Sequence, residues 1–295
     1  MSHQALLSAP ETSVPELENT AWELRRLLMR LSHSYSGPIH VGGDLSSADI
    51  FTALFHHGLA IDPSDIANPS RDRFVLSKGH AAVAMYLTMA QRGFFTLESI
   101  FDTYGQLDSP YGMHPCKVQL PGVECSTGSL GHGLPLAVGM ALAARQGGQG
   151  HRVFTLLGDG ETGEGSVWEA ALAARSNRLG NLVAVVDRNR QLMTTHDEEL
   201  VTLEPYTDKW AAFGWNVVHL DGHDMASLVG TLDSLPAVDS NTPTVLVCET
   251  VKGKGVDFME GQIAWHAGSL GDEELERALA SLETHRPALA QEGIR

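Results

Sequence analysis

The chain has 295 residues, of which 43% are hydrophobic and 19% charged, a composition that fits one large α/β domain or two small ones in an ordinary globular protein. Its 20 basic and 36 acidic residues give a formal charge of −16, which argues against nucleic acid or an anionic membrane as a partner, because phosphate polymers repel such a chain. A small anion is compatible with that charge only if a metal or backbone N–H groups meet it locally.

Three cysteines (Cys116, Cys125 and Cys248) contain no Cys-x-x-Cys pair and read as free thiols in a reducing compartment. The N-terminus lacks a basic stretch followed by a long apolar core, so no signal peptide is expected. No uncharged apolar run approaches membrane-spanning length, and a cytoplasmic location is expected.

Residues 1–15, with Pro10 and Pro15, read as a loose arm. Apolar residues then recur at helical spacing from Glu16 to Ser34 (Leu17, Trp22, Leu27, Leu28, Leu31). A Gly/Pro-rich break at Ser36–Asp44 precedes a helix over Ser46–His57; Arg73–Leu76 reads as a strand and His80–Arg92 as a helix. Gly131–Arg145 is helical, and Val153–Leu157 is a short apolar strand ending in Gly-Asp-Gly. Ser166–Ser176, Tyr206–Phe213, Asp224–Leu235 and Gly271–Glu283 read as helices, and Leu182–Val186, Trp215–Leu220 and Thr244–Glu249 as strands. Short continuous apolar strands separated by helices predict an α/β fold: a central, mostly parallel sheet with helices on both faces. One domain is expected over 16–285, with a polar tail over 286–295.

In such a sheet ligands sit beyond the carboxyl ends of the strands. Gly158-Asp159-Gly160 falls there, and Asn189 falls at the end of the next buried strand, thirty residues on. A hard divalent cation takes a carboxylate, a carboxamide oxygen and a backbone carbonyl, with diphosphate oxygens completing its shell. Asp159, Asn189 and the carbonyl of Gln191 have that chemistry, and Gly160 lets the backbone approach phosphates. Asp-Gly after a strand is also a common turn; the Asn at the second strand end is what favours a ligand site.

With these residues in view, the chain resembles the thiamine diphosphate enzymes, and among them the transketolases. Four further stretches carry the resemblance: Ser36-Gly37-Pro38-Ile39-His40-Val41-Gly42-Gly43; Asp72-Arg73-Phe74-Val75-Leu76-Ser77-Lys78-Gly79-His80; Gly112-Met113-His114-Pro115 with Val123-Glu124-Cys125-Ser126-Thr127-Gly128-Ser129-Leu130-Gly131; and Trp265-His266. The resemblance runs from about residue 17 to 270 and implies the diphosphate-binding type of thiamine diphosphate fold.

It also implies residue roles. His80, Gly128, Ser129, Leu130, Gly158, Asp159, Gly160, Glu161, Asn189 and His266 would bind the cofactor, while Asp159, Asn189 and Gln191 would hold Mg²⁺, or Ca²⁺ or Mn²⁺ in its place. His40, His114 and His266 would face the substrate, since a neutral imidazole near its pKa can give or take a proton. The other histidines, including His56, His57, His151, His219 and His223, read as structural.

Full-length transketolases carry a pyrimidine-binding domain after this region, whereas this sequence runs to Arg295. The resemblance therefore implies the N-terminal subunit of a split transketolase, completed by a C-terminal pyrimidine-domain subunit in an assembly of two copies of each. Glu164 and Glu169 match acidic positions near the subunit interface of relatives. Two other readings are carried forward: the α subunit of a 2-oxo acid dehydrogenase, against which the Ser-Lys-Gly-His80 and His114-Pro segments speak, and a non-catalytic scaffold subunit. Three departures from the family pattern stand out. Arg190 follows Asn189 where many relatives have Gly, His132 stands where Gln is common, and Pro38 precedes His40. A loop that needs φ > 0 at Arg190 would be strained or differently shaped.

Overall fold

The computed structural model describes residues 12–196 and 200–289. Parts of the expected N-terminal arm (1–11) and C-terminal tail (290–295) lie outside the described residues. Five strands form one sheet: β1 Arg73–Leu76, β2 Val153–Gly158, β3 Leu182–Arg188, β4 Asn216–Asp221 and β5 Thr244–Glu249. Their order is β1-β2-β3-β5-β4, and all four pairings are parallel.

Strand side chains alternate between two cores, as the period of two requires. Phe74, Leu76, Phe154, Leu156, Val183, Val185 and Leu246 enter one core with Leu17, Phe51, Tyr86 and Leu228. Val75, Val153, Leu157, Leu182, Ala184, Val186 and Val245 enter the other with Ala137, Ala170 and Trp210. Helices Val14–Ser34, Ala48–Ala53, Ala82–Arg92 and Met225–Asp233 pack into the first core, and Gly133–Gln146, Gly165–Ser176 and Tyr206–Ala212 into the second. Burial on both faces is why β2, β3 and β5 are largely apolar rather than alternating, while the edge strand β4 stays half exposed.

The first helix starts at Val14, two residues before the expected Glu16, because Ser13 and Glu16 form a capping box and Pro15 favours the first turn. The expected break at Ser36–Asp44 gives way at Val41 to a helix that runs to Ser46, and the expected helix over Ser46–His57 is split into Ala48–Ala53 and a π-helical turn at Leu54–Gly58. Tertiary packing overrides glycine propensity here: a Cβ at Gly42 would lie 2.6 Å from the Trp265 carbonyl oxygen. A short helix at Leu97–Thr103, which apolar periodicity does not reveal, is capped by the Thr96 hydroxyl accepting from Ser99 N–H at 3.2 Å. No helix among the described residues is long and apolar enough to cross a membrane.

Candidate active site

Strand direction gathers the chemistry-bearing residues at one edge. β1 leads into Ser77-Lys78-Gly79-His80, β2 into Asp159, β3 into Asn189 and β5 into Thr250–Lys252. The β2–β3 register pairs Gly158 with Asp187, so Asp159 leaves β2 level with Arg188 and Asn189 follows one residue on at the same edge. A cavity of about 330 Å³ opens there, lined by His40, His80, His114 and His266, by Gly128 and Leu130, and by Gly158 to Glu161, Asn189 and Gln191. Among the predicted site residues Ser129 stands apart. It is exposed and outside the cavity lining, its hydroxyl 3.5 Å from His132 Nδ1.

Two glycines make this geometry possible. A Cβ on Gly79 would lie 2.6 Å from the amide nitrogen of Gly128, so the His80 turn and the Gly128 turn meet backbone to backbone. Gly128 itself has φ of +140° and sits against the His114 ring. Glu161 fastens the same region. Its Oε1 accepts from the Ser77 hydroxyl and from Gly131 N–H at 2.8 Å, and its Oε2 from Gly158 N–H at 3.1 Å. Ser77 Oγ in turn accepts from Gly133 N–H at 3.1 Å. Burial raises the Glu161 pKa, and these donors oppose the shift.

The four histidines form one cluster. The His40 ring centroid lies 5.6, 6.1 and 5.4 Å from those of His80, His114 and His266. Burial depresses the pKa of each, aided at His40 and His80 by neighbouring histidines and lysines, and His266 is pushed down to about 4 by burial and Lys252. All four are therefore neutral imidazoles at pH 7, each able to donate from one nitrogen and accept at the other.

Asp159 is almost fully buried. Its Oδ2 accepts from Arg190 N–H at 2.6 Å and Arg188 NH1 at 3.1 Å, and its Oδ1 from Gly160 N–H at 2.8 Å. Burial and the nearby Asp187 charge raise its pKa to about 6 against the pull of Arg188. Asn189 Oδ1 accepts from Gln191 N–H at 3.2 Å, while its Nδ2 donates to Asp187 Oδ2 at 3.1 Å. Arg190 has φ of +60°, so the loop does adopt the left-handed conformation there. Its guanidinium offsets that strain by a two-pronged pair with Glu249, 3.0 Å on each side.

Four site residues escape the sequence reading. Lys78, fully buried, donates to Asp187 Oδ2 and to the Gly43 carbonyl at 2.9 Å. Asp187 also accepts from Ser46 Oγ at 2.6 Å and from the Thr250 hydroxyl. Burial alone would raise its pKa, but Lys78 holds it below the usual carboxylate range. Lys252 points into the cavity and Arg188 lies beneath Asp159. Their signal in sequence was position alone, since each lies within a few residues of a strand end in a chain where most charged residues are solvent-facing.

The match to known proteins spans the whole stretch of chain that lines this cavity. The family described as "Transketolase, thiamine diphosphate binding domain" matches residues 19–288. The chain belongs to the transketolase family.

Relatives of similar length include a protein from Phocaeicola vulgatus named as one subunit of an apulose-4-phosphate transketolase, 41% identical over 86% of this chain and 89% of that protein. Another, named 6-deoxy-6-sulfo-D-fructose transketolase subunit SqwG, from a Clostridium species, is 37% identical over 91% of this chain and 96% of that one. Among solved structures, transketolase from Pichia stipitis with sedoheptulose 7-phosphate superposes with a TM-score of 0.83 at 28% identity, over 90% of this chain and 41% of that one. Transketolase from Campylobacter jejuni gives a TM-score of 0.80 at 28% identity, over 92% and 42%. The chain thus spans about two-fifths of those transketolase chains. It has the α/β thiamine diphosphate-binding fold and is a transketolase-like member of a transferase family.

Proposed function

We propose that the chain is the diphosphate-binding subunit of a split transketolase that moves a two-carbon ketol unit from a ketose to an aldehyde, using thiamine diphosphate and Mg²⁺. The observation that carries this reading is the convergence of Asp159, Asn189, Gln191 and four neutral histidines on one cavity at the carboxyl edge of the sheet. The donor set suits a hard cation. Asp159 Oδ1 takes a single hydrogen bond among the described residues and so keeps a lone pair, and Gln191 Oε1 is a buried oxygen with no hydrogen-bond partner among them. No cluster of three His, Cys, Asp or Glu occurs among the described residues. A metal here would accordingly rest on one carboxylate, amide or carbonyl oxygens and the cofactor's diphosphate.

When bound, the cofactor's thiazolium supplies the nucleophilic carbon and the electron sink. The chain's own residues do the rest. The Lys252 ammonium, with the N–H groups of the Gly128 turn, would meet phosphate oxygens. His40, His114 and His266 would hold substrate oxygens and pass protons to and from them. Glu161 would frame the cofactor turns through Ser77, Gly131 and Gly158 rather than touch phosphate, because its carboxylate already accepts from all three.

A pyrimidine-domain partner would supply the rest of the cofactor site, in two copies of each chain. An outward face of the two packed helices Gly133–Gln146 and Gly165–Ser176 supports a contact of this kind: Leu136 and Leu172 stand exposed there, beside exposed Glu164 and Glu169. The test is turnover of ketose donors with aldose acceptors by the reconstituted pair. Transfer that needs both chains, thiamine diphosphate and Mg²⁺ is expected. A pair that binds both ligands yet transfers nothing from any ketose or 2-oxo acid would overturn the enzyme reading in favour of a scaffold.

A further inference from the structure

Arg188, at the end of β3, has a fully buried side chain, and its guanidinium faces the carboxylate expected to hold the metal. NH1 donates to Asp159 Oδ2 at 3.1 Å, and the same oxygen takes Arg190 N–H at 2.6 Å. Among the described residues Oδ1 has only Gly160 N–H, at 2.8 Å. The two oxygens of one carboxylate are thus made unequal.

Arg188 is itself held from the far side. NH2 donates to Glu204 Oε1 at 3.0 Å, and the guanidinium carbon lies 4.7 Å from the centroid of the Tyr206 ring. Glu204 Oε2 accepts from Tyr206 N–H at 2.7 Å, the Tyr206 hydroxyl donates to Thr162 Oγ1 at 3.2 Å, and Thr162 Oγ1 donates to the Asp159 carbonyl at 2.6 Å. The circuit starts and ends at Asp159, so Arg188 cannot turn away without breaking it.

We propose that Arg188 is a positioning residue that makes Asp159 a one-oxygen ligand and so biases the site towards Mg²⁺ over Ca²⁺. The proposal rests on the metal site described above. Mg²⁺ demands six ligands in near-ideal octahedral geometry at about 2.0–2.1 Å, and a single carboxylate oxygen suits it. Ca²⁺ takes roughly 6–8 oxygens and readily uses both oxygens of a carboxylate. With both Oδ2 lone pairs engaged, the second mode is closed. Removing a positive charge strengthens the binding of every cation, so the ratio of the two affinities, not either one, reports this role.

The test is calorimetric titration of Mg²⁺ and of Ca²⁺ into the reconstituted pair of chains with thiamine diphosphate present, after subtraction of the same titration without protein. Wild type is expected to favour Mg²⁺, and Arg188→Met to raise the Ca²⁺:Mg²⁺ affinity ratio about tenfold, the size of effect that outer partners of metal ligands have. Arg188→Lys, which keeps a charged donor, is expected to return the ratio towards wild type. If Arg188→Met does not fold, Glu204→Gln loosens the same guanidinium from outside and should move the ratio in the same direction. A wild type that binds both ions with a ratio unmoved in every folded variant overturns this role and leaves the metal site standing. A wild type that binds neither ion overturns both.

Discussion

Lys252 Nζ lies 3.0 Å from His266 Nδ1 and 3.1 Å from the Leu192 carbonyl oxygen. Burial and the Lys78 charge depress the Lys252 pKa to about 8, so the ammonium persists at pH 7 and can only donate. His266 must then accept at Nδ1 and carry its proton on Nε2. Nitrogen-15 spectra of His266 should show the Nε2–H tautomer in wild type and a mixture in Lys252→Met. That variant should also bind thiamine diphosphate roughly tenfold to a hundredfold more weakly, the worth of about 1.5–3 kcal/mol for a hydrogen bond to a charged group. The sign with pH follows. A lysine lowered to about 8 loses its charge as pH rises through that value, so wild-type affinity should fall from pH 7 to 9.5. Equal affinities in wild type and Lys252→Met would exclude the lysine from the anion site.

The Lys78–Asp187 pair has no exposed side-chain surface at either partner. Removing one member strands the other charge in the interior, at a cost of about 3–5 kcal/mol. Lys78→Met should therefore unfold at much lower denaturant than wild type, and adding Asp187→Asn should recover part of the loss. A single variant as stable as wild type in urea titration would contradict the pairing.

Asp44 is fully buried; Oδ1 accepts from Ala84 N–H at 3.0 Å, and Oδ2 has no hydrogen-bond partner among the described residues. Burial raises its pKa to about 7, against the Ala84 N–H and Lys78. Between its ordinary value of 3.8 and 7 the native chain holds a proton that the unfolded chain has released, so stability falls as pH rises through that window. Asp44→Asn removes that slope. Its stability relative to wild type should grow from pH 5 to pH 8, by on the order of 3 kcal/mol, in denaturant titrations. A difference that is the same at both pH values would show that Asp44 does not titrate in this way.

Glu161→Gln sets an amide N–H₂ among three donors, which leaves at least one buried donor unmatched at about 1–3 kcal/mol. Both thermal stability and thiamine diphosphate affinity should drop, while Glu164→Gln, at an exposed position, should leave the first unchanged. Unaltered cofactor affinity in Glu161→Gln would mean that the Gly131 and Gly158 turns hold without it.

The inner strands were legible because burial on both faces writes an unbroken apolar run, as in Val153–Leu157 and Leu182–Val186, whereas the half-exposed edge strand β4 carries only Val217, Val218 and Leu220. The family motifs located the cavity because glycine and histidine at fixed spacing mark places where backbone comes close to backbone. Less legible was the region around His40, where Gly42 and Gly43 look like a break and are in fact a helix pressed against Trp265 and His80. The charged frame was hidden for a different reason. Lys78, Asp187 and Arg188 act through partners up to 141 residues away in the chain, and no local pattern distinguishes a buried lysine from a solvated one.

The most direct test of the diphosphate and metal site is Mg²⁺-dependent thiamine diphosphate binding by wild type and by Asp159→Ala, with circular dichroism to check the fold. A metal held by Asp159 predicts a folded variant that has lost Mg²⁺-dependent binding. A folded Asp159→Ala chain with wild-type cofactor affinity would contradict it.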